Sequence, residues 1–135
     1  MKAIQNTIVE EMNALDDWMD KYDYIIAQGR DLRCADEAIR SDQYALAGCQ
    51  SQVWIRAECR DGAMRYMADS DAQITRGLIA LLLRIVNGQS PKRVAEADFF
   101  FIERTGLDRH LSPARGDGLA AIISELKRYA RQKGA

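Results

Sequence analysis

Histidine is almost missing from this sequence: His110 is the single one in 135 residues, beside two prolines and three cysteines. The cysteines, Cys34, Cys49 and Cys59, include no C-x-x-C pair, so the ligand spacing of a metal site is absent. If residues 52–59 run extended at about 3.3 Å each, Cys59 ends roughly 23 Å beyond the strand start. That separation excludes an ion shared with Cys49, and a disulfide, which needs Cα atoms within about 7 Å. In a reducing compartment the three cysteines are expected to be free thiols. Long hydrophobic runs are also lacking. The longest uncharged apolar piece, Gly77 to Leu83, stops at Arg84, far short of the roughly 20 residues of a membrane span. The N-terminus carries no apolar signal-peptide segment, so a cytoplasmic location is expected. A net charge of −1 supplies no basic field for nucleic acid.

What is present is ordinary for a soluble globular protein. Apolar residues make up 47% and charged residues 29%, and the length suffices for one domain, residues 1–135, with a real core. The charge is uneven. Residues 1–24 hold six acids and two bases, and residues 103–135 hold seven bases and four acids. Lys127, Arg128, Arg131 and Lys133 close a helix, where cations complement the dipole. Asp16, Asp17, Asp20 and Asp23 line the outer face of an earlier helix.

Hydrophobic spacing sets out the elements. Ile4, Ile8, Met12 and Leu15 share a helical face, and Trp18, Met19, Tyr22, Ile25 and Ile26 continue the pattern to Gly29, a C-cap candidate. Residues 30–43 read as a loop, and Gln43 to Leu46 as a short edge strand. Val53 to Ala68 reads as a hairpin about Asp61-Gly62. Pairing outward from that turn sets Cys59 opposite Met64, Ala57 opposite Tyr66 and Ile55 opposite Ala68, an apolar face, with Glu58 opposite Arg65 behind it. Cys59 is therefore expected to pack in the core. Ser70-x-x-Gln73 reads as a capping box before a central buried helix through Ile74, Leu78, Leu81, Leu82 and Ile85, ended by Asn87-Gly88. Ser90-Pro91 opens a short helix, Asp98 is a cap candidate for another that ends by Gly106, and Ser112-Pro113 opens the last one. Leu119, Ile122, Ile123 and Leu126 are its buried stripe. The fold class expected is α+β, a small antiparallel sheet with helices against one face.

The chemistry centres on Cys49. Gly48 before it permits a sharp turn, and Gln50-Ser51-Gln52 after it is polar company for a core thiol. A thiol of pKa near 8.5 is about 3% ionised at pH 7, and half-ionisation needs about 2 kcal/mol. No Lys, Arg or His adjoins Cys49 in sequence, so an activating charge must come from elsewhere in the fold or from a partner. Arg115 is one candidate, a cation at the third position of the last helix, where the dipole disfavours it by roughly 0.3–1 kcal/mol. His110 is the other, through a Cys–His pair. A stand-alone thiol enzyme, a peroxidase or hydrolase using Cys49 with His110, is the alternative to a carrier role. A non-catalytic interaction module is the third class. Cys34, in a polar loop, carries no sign of a site.

The stretch Gly48-Cys49-Gln50-Ser51-Gln52-Val53-Trp54 resembles the active-cysteine motif of the SufE family of sulfur acceptors. The likeness continues through Asp69-Ser70-Asp71-Ala72, Gly77-Leu78-Ile79-Ala80, and His110-Leu111-Ser112-Pro113 with Arg115, Gly118 and Leu119. Upstream, Trp18, Tyr22, Ile25 and Ile26 also fit, so about residues 15–130 are covered. The resemblance implies a fold shared with iron–sulfur scaffold proteins and a role in cluster assembly. It implies that Cys49 takes persulfide sulfur from a pyridoxal-phosphate (PLP) cysteine desulfurase, SufS- or CsdA-like. The sulfur then passes to a SufBCD-like scaffold complex. The acceptor stimulates the desulfurase and has no turnover or cofactor of its own, since the PLP belongs to the partner. Gly48, Gln50 and Ser51 would shape the loop, and Asp71 and Arg115, with His110, are candidates for docking or support. An apolar resting pocket that keeps Cys49 protonated until a partner docks follows as an expectation, motivated by Gly48 and the missing local base.

Overall fold

The computed structural model describes residues 1–30, 32 and 37–134. In chain order its helices are α1 (Lys2–Asn13), α2 (Trp18–Arg30), α3 (Gln73–Val86), α4 (Pro91–Ala95), α5 (Phe101–Thr105), α6 (Leu107–His110) and α7 (Pro113–Gln132). A 3-10 turn, Glu37–Ile39, precedes the strands β1 (Val53–Arg60) and β2 (Ala63–Ser70). The architecture is α+β, with a two-stranded antiparallel sheet among the described residues and helices packed on it.

The hairpin has the register expected from its turn: Ile55 faces Ala68, Ala57 faces Tyr66, Glu58 faces Arg65 and Cys59 faces Met64. Asp61 and Gly62 both take positive φ, 53° and 77°, the geometry that matches strand twist across two residues. The edge strand is reduced to a single bridge, Ala45 with Trp54. Backbone bonds flank it, from Leu46 N to Val53 O (2.8 Å) and from Ile55 N to Tyr44 O (2.9 Å).

One expectation fails here. Cys59 is exposed, although its partner Met64 is fully buried. Burial along β1 fades from Val53, Trp54 and Ile55 toward the turn, whereas β2 stays covered through Met64, Tyr66 and Ala68. Helix α3 packs against β2 and α7 against β1, and the turn end of β1 is left uncovered. Facing the core side of a strand pair does not bury a residue that lies beyond the covering helix.

Helix α3 is the central element, with Leu78, Leu81, Leu82 and Ile85 at 2% exposure or less. Each such side chain contributes about 1.5–3 kcal/mol of burial. Its contact with α2 is backbone on backbone. A Cβ on Gly77 would lie 2.1 Å from the Ile25 carbonyl oxygen, and one on Gly29 would lie 2.9 Å from Gly77 N. Gly29 is thus not a cap; it sits within α2 so that the two helices can touch.

The Ser70 capping box does not form either. Ser70 ends β2, the N-cap is Ala72 without a side-chain bond, and Ser70 Oγ donates instead to Gln52 O at 2.7 Å. Asp98 does not cap α5, whose N-cap is Phe100. The buried Gln5 of α1 satisfies that segment, donating to Asp98 O (3.0 Å) and accepting from Phe101 N (3.2 Å). Ser112 does cap α7, accepting from Arg115 N at 3.3 Å, and Ser90 caps α4 in the same way. Two tyrosines pin α7 to the sheet: Tyr66 Oη donates to Leu126 O and Tyr129 Oη to Ile55 O. That docking sets the N-terminal half of α7 beside the loop between Leu46 and Gln52.

Candidate functional site

Cys49 sits in the loop that joins the Ala45 bridge to β1. Gly48 takes φ +91°, a conformation that costs other residues about 1–2 kcal/mol, and so turns the chain just before the thiol. The thiol points toward α7. Its Sγ lies 3.7 Å from the Gly118 carbonyl oxygen, a weak S–H donation. A Cβ there would meet Sγ at 3.7 Å and Cys49 Cα and Cβ at 3.8 Å. Leu78 of α3 and Leu119 and Ile122 of α7, all buried, wall the cleft, with Thr75 and Arg115 at its margin. The space left is about 10 Å³, room for one water at most. On the other side of the loop a hollow of about 260 Å³ opens, lined by Asp42, Ala47, Gly48, Gln50 and Trp54 among others.

Burial pushes the Cys49 thiol pKa up. A thiol in this pose is a poor nucleophile and well protected, because the charged form loses solvation in the apolar cleft.

The two stems of the loop are fastened. On the outgoing side, Asp71 Oδ1 accepts from Gln52 N at 3.0 Å, and Asp71 N donates to Gln52 O at 3.3 Å. On the incoming side, Arg40 Nη2 meets Asp69 Oδ2 at 2.7 Å while its guanidinium lies 5.0 Å from the Trp54 ring centroid. Asp69 Oδ1 also takes Arg76 Nε of α3 at 2.8 Å. Between the stems the tip is held lightly: besides the thiol contact, Ser51 Oγ and Thr75 Oγ1 are 3.4 Å apart.

The residues singled out in the sequence therefore separate. Cys49, Gln50, Ser51 and Arg115 line the cleft, Gly48 lines the hollow across the loop from it, and Asp71 braces the loop from behind. Arg115 is exposed, and its guanidinium has no hydrogen bond or ion pair among the described residues. His110 is engaged elsewhere: its ring stacks on Trp18 at 3.8 Å, its Nδ1 donates to Gly106 O at 3.0 Å, and it is not among the residues lining the cleft. Cys34 lies outside the described residues.

The Asp69–Arg40–Arg76 cluster and the cleft wall at Thr75, Leu78 and Ile122 escaped sequence reasoning. Leu78 and Ile122 carry the mark of a buried helix stripe, and Leu78 also falls in one of the stretches that resemble the SufE family; Thr75 carries neither mark. In the cluster only Asp69 carried a mark, as an acid after an apolar strand and as part of the Asp69-Ser70-Asp71-Ala72 stretch of the resemblance.

Fold and site together define an α+β protein built around one half-buried thiol on a glycine-bent, two-stemmed loop. Comparison with known proteins takes this further. A family model described as SufE, Fe-S metabolism associated domain, matches residues 6–130. An uncharacterised SufE-like protein of Rhizobium meliloti is 34% identical over 128 residues, 91% of each chain. Another from Synechocystis is 36% identical over 123 residues, 91% of this chain and 77% of that one. The solution structure of a hypothetical protein from Thermus thermophilus shares the fold, with a TM-score of 0.79, 19% identity and coverage of 96% and 95% of the two chains. The chain belongs to the SufE family and has a role in Fe–S metabolism. No helix among the described residues is long and apolar enough to cross a membrane.

Proposed function

We propose that Cys49 accepts sulfur from a PLP-dependent cysteine desulfurase and passes it to an iron–sulfur scaffold complex in the cytoplasm. The observation that carries this reading is the thiol's placement. Cys49 is held protonated in an apolar cleft, with no cation or histidine among the described residues bonded to it, on a lightly held tip between two braced stems. Such a group does little alone and becomes reactive when a partner draws it out.

In the transfer, the Cys49 thiolate attacks the outer sulfur of the desulfurase persulfide. A new sulfur–sulfur bond forms on Cys49, the enzyme's own bond breaks, and its cysteine leaves as thiolate with the electron pair. Oxidation states are conserved overall. PLP chemistry stays in the desulfurase, so this chain acts as an activator without turnover of its own. Arg115, exposed and unpaired among the described residues at the cleft margin, is the docking contact we favour, and Asp71 supports the loop.

The test is alanine production from cysteine by the cognate desulfurase. Wild type stimulates it, Cys49→Ala does not, and Cys34→Ala and Cys59→Ala still do. Mass spectrometry finds one added sulfur, about 32 Da, on Cys49 after turnover. Absence of stimulation by the wild-type protein with its cognate enzyme defeats the proposal. Activity on a small thiol substrate without a partner favours a stand-alone enzyme.

A further inference from the structure

Two unequal spaces flank Cys49, about 10 Å³ on the α7 side and about 260 Å³ on the outer side. The inner one is close to the smallest volume that holds a water, about 10–15 Å³. A sulfur atom is larger than a water oxygen and would be bonded about 2.05 Å from Sγ. The walls give little, because Leu78, Leu119 and Ile122 are core residues of α3 and α7 and close-packed interiors resist added atoms.

The polar contact fails too. The bare thiol donates its hydrogen to Gly118 O at 3.7 Å. In a persulfide Sγ is the bridging sulfur and has no hydrogen to donate.

Resting on the sulfur-acceptor reading, we propose that the cleft of Leu78, Gly118 and Ile122 admits Cys49 only as the bare thiol, and that added sulfur moves the side chain to the outer hollow. Those three residues then determine which state of the cysteine is shown to a partner. The empty carrier hides its thiol, and the loaded carrier presents its cargo. The braced stems at Asp69–Arg40 and Asp71–Gln52 stay in place, so the change is confined to the tip.

The test uses the 135-residue chain with Cys34→Ser and Cys59→Ser, leaving Cys49 as its one thiol. Inorganic polysulfide loads it: the thiolate attacks a terminal sulfane sulfur, a new sulfur–sulfur bond forms, and the shortened polysulfide leaves with the electron pair. Intact mass confirms one added sulfur. The first readout is the NOE between Cys49 Hβ and Gly118 Hα. The second is the rate at which a water-soluble phosphine removes the outer sulfur as phosphine sulfide and returns the thiol.

Loading abolishes the NOE in the otherwise unaltered cleft. Leu78→Ala, which enlarges the cleft, keeps the NOE in the loaded state and slows phosphine reduction at least tenfold. Ile122→Val, a milder change that leaves the core intact, slows reduction by a smaller factor. A persisting NOE in the loaded, unenlarged cleft overturns the proposal, and so do equal reduction rates in all three proteins. Polysulfide loading needs no desulfurase, so if the thiol leaves the cleft but no desulfurase is stimulated, the inference stands and the acceptor reading falls.

Discussion

Replacing Asp69 with Asn keeps the side chain's shape and removes a charge that two guanidiniums share. The Asp69 side chain is 10% exposed, while Arg40 and Arg76 are 39% and 37% exposed. Breaking a fully buried ion pair costs about 3–5 kcal/mol, but both cations here reach solvent, which reduces the loss to about 1–3 kcal/mol. At this chain length each kcal/mol moves Tm by about 3–5 °C, so Tm drops by about 3–15 °C.

The pH dependence identifies the cause. Burial by itself raises the Asp69 carboxyl, but hydrogen bonds from Arg40 and the Ser70 amide, with the charges of Arg76 and Arg40, outweigh it and hold the pKa below the usual carboxylate value. A carboxyl whose folded pKa is lowered stabilises the fold fully above its unfolded pKa, about 3.9, and loses that contribution as pH falls through the folded value. Urea unfolding of wild type and Asp69→Asn from pH 7 to pH 2.5 therefore shows a gap that is constant above about pH 5 and closes in acid. The same variant removes the ion pair that ties Arg40 of the incoming stem to Asp69, so alkylation of Cys49 accelerates while that of exposed Cys59 does not. A gap below about 0.5 kcal/mol at pH 7, or one equally large at pH 2.5, refutes the reasoning.

Three further outcomes are expected. Gly77→Ala forces a Cβ to within 2.1 Å of the Ile25 carbonyl, so α2 and α3 must part; a loss of about 3 kcal/mol or more in chemical denaturation is expected, and a neutral effect would mean the helices are less tightly seated. Arg115→Glu acts in opposite directions on fold and function. An acid in the first turn of α7 stabilises by about 0.3–1 kcal/mol, seen as a small rise in Tm, while desulfurase binding measured by calorimetry weakens. In the isolated protein, iodoacetamide labelling of Cys49 against pH has its midpoint above the ordinary thiol value, because burial raises it; a midpoint below pH 7 would mean an activating charge that none of the described residues supplies.

Local chemistry made much of this legible beforehand. The Asp61-Gly62 turn and the alternation about it are enough to set the register of β1 and β2, since a two-residue turn leaves one pairing that keeps the apolar residues on one face. Ser112 and Ser90, each directly before a proline, mark the starts of α7 and α4 for the same local reason. Where a role depends on what lies across space, the sequence misleads. Cys59 pairs as expected yet is exposed, because burial depends on how far the helices extend over the hairpin. Gly29 reads as a helix end, and its real task is to let another backbone approach. Ser70 has the spacing of a cap, but its hydroxyl is taken by Gln52 O across the hairpin stem.

The site divides along the same line. Sequence alone marked the cysteine: Gly48 turning the chain, polar neighbours after the thiol, no adjacent base, and a motif resembling the SufE family that the family match bears out. Only tertiary structure decided the state in which that cysteine rests. The groups that close on it, the Leu78 side chain from α3 and the Gly118 carbonyl and Ile122 side chain from α7, come from helices that begin 24 and 64 residues further along the chain, at Gln73 and Pro113. Desolvation depends on the density of atoms around a group, and no neighbour in sequence specifies that density. It arises when Tyr66 and Tyr129 dock α7 against the hairpin and leave a gap between helices that fits one thiol.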